Sequence, residues 1–142
     1  MNRLHSIVRR IPNRLPTVLA VGLLLWLTLA SKPLGDNDMP LFQGADKLAH
    51  VLMFGGTTAV LLFDIQRERG WHALRWILPV TAGTVFSLVG VAIEFAQEAM
   101  GNGRSFERAD IAADTVGAYT VAILWIIFQK YWSIKTSYDG RN

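Results

Sequence analysis

The stretch IEFAQEAMGNGRSFERAD, residues 93–110, lies between two runs that are apolar on every helical face. Gly101, at its centre, suits a left-handed helix end, and Asn102-Gly103 continues the turn. Ser105 is placed to cap a following helix, with Glu107 near the positive end of that helix's dipole. The stretch therefore predicts an antiparallel helical hairpin closed by only a few residues. Positions equally far from such a turn face each other, which sets Glu94 opposite residues 110–114.

Working outward, four apolar stretches approach the roughly 20 residues that cross a bilayer. They are 15–31, 50–63, 76–95 and 111–132, and the second needs 46–49 to complete a span. A soluble helix would carry one apolar stripe rather than an apolar surface. The chain of 142 residues, 51% of them hydrophobic, is thus expected to be an all-α polytopic membrane protein. Its single domain would hold four transmembrane helices in a small bundle, a basic segment at 1–14 and a tail at 133–142. The opening MNRLHSIVRRIPNR and the apolar run after it also have the outline of a signal peptide. That run is long for one, so it is expected to remain as the first span.

The net charge of +3 does not signal a nucleic-acid partner once the charges are placed. Arg3, Arg9, Arg10, Arg14, Arg67, Arg69, Arg75, Lys130, Lys135 and Arg141 fall on one side of the spans. Only Lys32, Lys47, Arg104 and Arg108 fall on the other. The positive-inside bias puts both termini in the cytoplasm and the acidic hairpin outside. Trp71, Trp76 and Trp132 stand at span ends as interfacial anchors, while His5 and His72 read as surface residues. There is no cysteine, so disulfides and thiolate metal sites are excluded.

The polar residues inside the spans share depths and faces. At about 1.5 Å per residue, His50 lies roughly 6 Å in from the outer side, Glu94 roughly 9 Å, Asp110 roughly 8 Å and Asp114 roughly 14 Å. Helical spacing aligns Asp46, His50, Met53 and Thr57; Gly83, Ser87, Gly90, Glu94 and Gln97; and Asp110, Asp114, Gly117 and Val121. Small residues allow close helix approach, and a carboxylate facing lipid costs several kcal/mol, so these stripes should meet in an interior pocket. Asp46 and Lys47 alone, at a helix start, read as structural, Ser87 and the glycines as packing, and Glu98 and Glu107 as a solvated loop face. His50, Glu94, Asp110 and Asp114 together read as functional. Several converging acids repel, so the pocket needs proton sharing or a cation. A divalent metal is the less favoured of the two, and Asp114, deepest and farthest from Lys47 and Arg104, is the expected neutral acid.

The order of these residues resembles the VanZ-like membrane family. The family pattern is Asp-Lys-x-x-His, then Glu-x-x-Gln, then Gly-Arg with an aspartate six residues beyond the arginine, then Asn-x-x-Gly. Asp46, Lys47, His50, Glu94, Gln97, Gly103, Arg104, Asp110 and Gly117 fit it, and Asp114 stands where the family has asparagine. The resemblance covers 46–117, about half the chain. It implies a small multi-span bacterial inner-membrane protein of the cell envelope, the name-giving member being associated with teicoplanin (glycopeptide) resistance.

Three functions suit such a pocket. One is an intramembrane enzyme acting on a lipid-linked envelope substrate, with His50 and Glu94 sharing acid–base work. Asp110 would orient His50 or a metal, and Arg104, with Lys47, Asp46, Gln97 and Asp114, would bind the substrate. Another is a non-catalytic protein that binds an envelope ligand or partner. The third is a proton-coupled transporter, for which four helices leave little room. Membrane lipids are the expected surroundings, and the sequence leaves the oligomeric state open.

Overall fold

The computed structural model describes residues 12–30, 42, 44–69, 76–101 and 106–139, with side chains to 133. They form four helices: α1 (Leu15–Leu29), α2 (Ala45–Arg69), α3 (Ile77–Met100) and α4 (Arg108–Asp139). There is no strand among the described residues. Three of the helices, α2, α3 and α4 up to Ser133, are long and apolar enough to cross a membrane. At 15 residues α1 is about 22 Å long, short of the roughly 30 Å hydrocarbon thickness.

Local chemistry explains the ends. Pro16 stands in the first turn of α1, where its missing N–H removes no helical bond. Asp46 occupies the first turn of α2, and Arg67 and Arg69 its last turn, both favourable to the helix dipole. Gly101 closes α3 in the left-handed region (φ 62°, ψ 19°), with its N–H on the Glu98 carbonyl, as the hairpin reading requires. The Glu107 carbonyl accepts the N–H groups of Asp110 and Ile111 at the start of α4. The cap expected at Ser105 lies outside the described residues. Polar residues at the ends do not stop the helices: α2 runs six residues past Phe63, and α4 continues through most of the segment expected to be a tail.

The long helix α4 packs along both α2 and α3, while α1 leans on α2 and touches α3. Leu24, Phe54, Phe86, Ile93 and Ala118 form the core where the four meet. Close approach of α2 and α4 depends on Gly117, where an added Cβ would collide with the backbone of Val51. The remaining large apolar side chains mostly face outward, as they must if lipid surrounds them.

Both ends of α1 are fastened to other helices. At its N-terminus Asp64 of α2, which is buried, accepts the Thr17 N–H (3.0 Å) and hydroxyl (2.6 Å) and pairs with Arg67 (3.2 Å). At its C-terminus the Gln97 amide donates to the Thr28 carbonyl at 2.7 Å.

Candidate functional site

The C-termini of α1 and α3 and the N-termini of α2 and α4 share one end of the bundle, and the polar residues gather there. On α2, the i, i+3 and i+4 rule stacks Asp46, Lys47 and His50 over two turns. On α4, Asp110 and Asp114 are one turn apart and face them. The Lys47 ammonium lies among three carboxylates: Asp46 at 2.8 Å, Glu107 at 2.6 Å, and Asp110. One turn deeper His50 Nδ1 is 2.8 Å from Asp114 Oδ1, while its Nε2 is 3.8 Å from Asp110 Oδ2, too far for a hydrogen bond.

Asp114 and Glu94 are both fully buried. Gly90 makes the room for Asp114: a Cβ there would be 2.5 Å from Oδ2 and 3.0 Å from its Cβ. Glu94 Oε2 accepts the backbone N–H of Glu107 at 2.9 Å, which ties the end of α3 to the start of α4. Its carboxylate also interacts electrostatically with Asp110, His50 and Asp114. Glu94 Oε1 and Asp114 Oδ2 have no hydrogen-bond partner among the described residues. Such buried acceptors are costly unless something donates to them.

This geometry supports specific chemistry. An ionised carboxylate only accepts, so with Asp114 charged the shared proton belongs to His50 Nδ1, and Nε2 keeps its lone pair. A buried carboxylate fixing an imidazole in this way is the arrangement that prepares a general base and stabilises the imidazolium that follows. Asp46, Glu107 and Asp110 each place an oxygen within 4.8 Å of the others, a spacing that suits a metal ion. The Lys47 ammonium already bridges all three, so a metal would have to displace it.

Against the sequence expectations, the structure brings Asp46, Lys47, His50, Asp110 and Asp114 together, with Glu94 joined through Glu107. Gln97, expected to line the pocket, is spent on α1. Arg104 lies outside the described residues, as do Gly103, Trp71, His5 and His72. Asp114, not Asp110, holds His50, and Asp110 instead pairs with Lys47 one turn nearer the end of α2. Asp114, expected to be the neutral acid, has the imidazole of His50 as its partner.

Glu107 is exposed, as the expected solvated face requires, and so is Glu98. Glu107 nonetheless joins the site: its side chain binds Lys47 and its amide donates to Glu94. Asp64 escaped notice, although it sits seven residues beyond Thr57, on the same helical stripe as His50. Comparison of the chain with family models, curated proteins and solved structures finds no match.

Proposed function

We propose that this is a VanZ-like protein of the bacterial inner membrane, with four transmembrane helices, both termini cytoplasmic and its polar pocket on the extracytoplasmic side. In this reading it acts in the cell envelope, in processes related to glycopeptide resistance, on a lipid-linked ligand. The distribution of the cations supports the orientation, and the fastening of α1 at both ends supports its retention as a fourth span. The observation that carries the chemical role is the 2.8 Å contact between His50 Nδ1 and the wholly buried Asp114.

In the proposed reaction, His50 Nε2 takes a proton from the attacking group while Asp114 stabilises the imidazolium. Glu94, buried and with one oxygen unpartnered, starts protonated and gives its proton to the leaving group as that bond breaks, and the proton held by His50 then passes back to it. Lys47 holds Asp110 and Glu107 in place, and Arg104 is the expected contact for an anionic group of the ligand.

The test is expression in a teicoplanin-susceptible bacterium at matched membrane levels. The wild-type chain should raise the inhibitory concentration and His50→Gln should not. Equal protection by both would remove the acid–base role and leave a binding protein; protection by neither would remove the envelope assignment.

A further inference from the structure

We propose, resting on that reading, that the seam between α1 and α2 holds one hydrocarbon chain of a lipid whose headgroup carries a primary ammonium. A groove of about 250 Å³ runs along this seam, lined by Leu23 and Leu27 of α1 and by Leu52, Gly56, Thr57 and Val60 of α2. Its one hydroxyl, on Thr57, is already donated to the Met53 carbonyl at 2.8 Å, so the walls offer nothing for a polar group to bind. Small-molecule pockets run from roughly 300 Å³ upward, so this space suits a chain segment and excludes a headgroup. Gly56 opens directly onto it, since an added Cβ there would meet nothing within 4 Å.

The direction of the groove identifies the rest of the ligand. It lies within a membrane-spanning helix, and α1 stops at Leu29 while α2 continues from Leu52 to Ala45, about 10 Å farther. Met53 and Thr57, which line the groove, share a stripe with His50 and Asp46 above them. A chain in the groove therefore delivers its polar end to the cluster. Among the described residues that cluster holds Asp46, Glu94, Glu107, Asp110 and Asp114 against Lys47 and His50, with two buried oxygens lacking a donor. A primary ammonium supplies three donors, no acceptor and a positive charge, whereas the glycerol headgroup of phosphatidylglycerol brings no cation; the phosphate common to both lipids is the anionic group expected to meet Arg104.

Native mass spectrometry of the full chain extracted in detergent tests this, with phosphatidylethanolamine and phosphatidylglycerol of identical acyl chains as probes. Wild-type protein should retain phosphatidylethanolamine about tenfold more strongly than phosphatidylglycerol. Gly56→Leu, which fills the groove, should weaken that retention about tenfold, what burying about two methylenes contributes. Gly56→Ala, too small to fill it, and Gly22→Leu, whose Cβ also meets nothing within 4 Å but lies off the groove, should retain it as wild type does. Unchanged retention in Gly56→Leu would overturn the groove, and equal retention of both lipids would overturn the headgroup. Either result alongside loss of protection in His50→Gln leaves the acid–base reading standing, and the reverse pattern removes that reading alone.

Discussion

Replacing Gly117 with alanine should disable the site without touching any of its side chains. The new Cβ would meet the Val51 carbonyl carbon and Cα at 2.9 Å, and the carbonyl oxygen more closely still. These are backbone atoms, so no side chain can swing aside, and α2 must retreat until the contacts reach at least 3.4 Å. Val51 adjoins His50, and Gly117 is one turn from Asp114, so the same retreat stretches the 2.8 Å His50–Asp114 bond past the roughly 3.2 Å limit. Overpacking of about 1–3 kcal/mol and a lost charge-assisted bond of about 1.5–3 kcal/mol outweigh the gain of about 1 kcal/mol from a better helix former. Equilibrium unfolding in mixed micelles measures the balance, and the His50 ring nitrogen shifts report the lost contact. Gly22→Ala, where the Cβ meets nothing, is the comparator and should be neutral or slightly stabilised. If Gly117→Ala is as stable as Gly22→Ala and leaves the imidazole shifts unmoved, the account of α2–α4 contact is wrong.

Asp114→Asn keeps an acceptor for His50 Nδ1 and should leave folding near wild type, whereas Asp114→Leu should release the ring; the same nitrogen shifts distinguish them. Asp64→Ala removes both bonds to Thr17 and should cost about 2–4 kcal/mol, read in the same unfolding assay, with no change expected if the α1 anchor contributes nothing. A reporter fused after Asn142 should be active only in the cytoplasm and one inserted at Asp38 only outside, and the opposite result would move the pocket to the other face.

Most of the helical layout could be read because apolar length and the Gly101 turn are local properties. The far end of α2 was less legible: Asp64 and Arg67 look like loop residues in sequence, but pairing with each other and with Thr17 and Pro12 lets them lie inside the helix. The stripes placed His50, Asp110 and Asp114 on converging faces, since period and depth are sequence quantities. Which carboxylate takes which cation was not legible, because it depends on the α2–α4 spacing that Gly117 and Gly90 permit. The link from Glu107 to Glu94 was not legible because it is made by a backbone amide, which no side-chain pattern reveals.

If α1 enters the membrane as the proposed fourth span, its capture by Asp64 also orders the making of the protein. The first-turn N–H of Thr17 waits for a carboxylate 47 residues farther along the chain. Leu15 bonds Pro12 and Pro16 has no N–H, so Thr17 is the one first-turn donor that needs α2. A ribosome that has exposed only α1 has therefore released a short helix with an uncapped start, poorly suited to the bilayer core. Once Asp64 emerges, the two segments can enter as a pair, each supplying what the other lacks. The translocon should accordingly hold α1 laterally until α2 arrives, and a nascent chain stalled before Asp64 should remain extractable from the membrane when one stalled well beyond Arg69 does not.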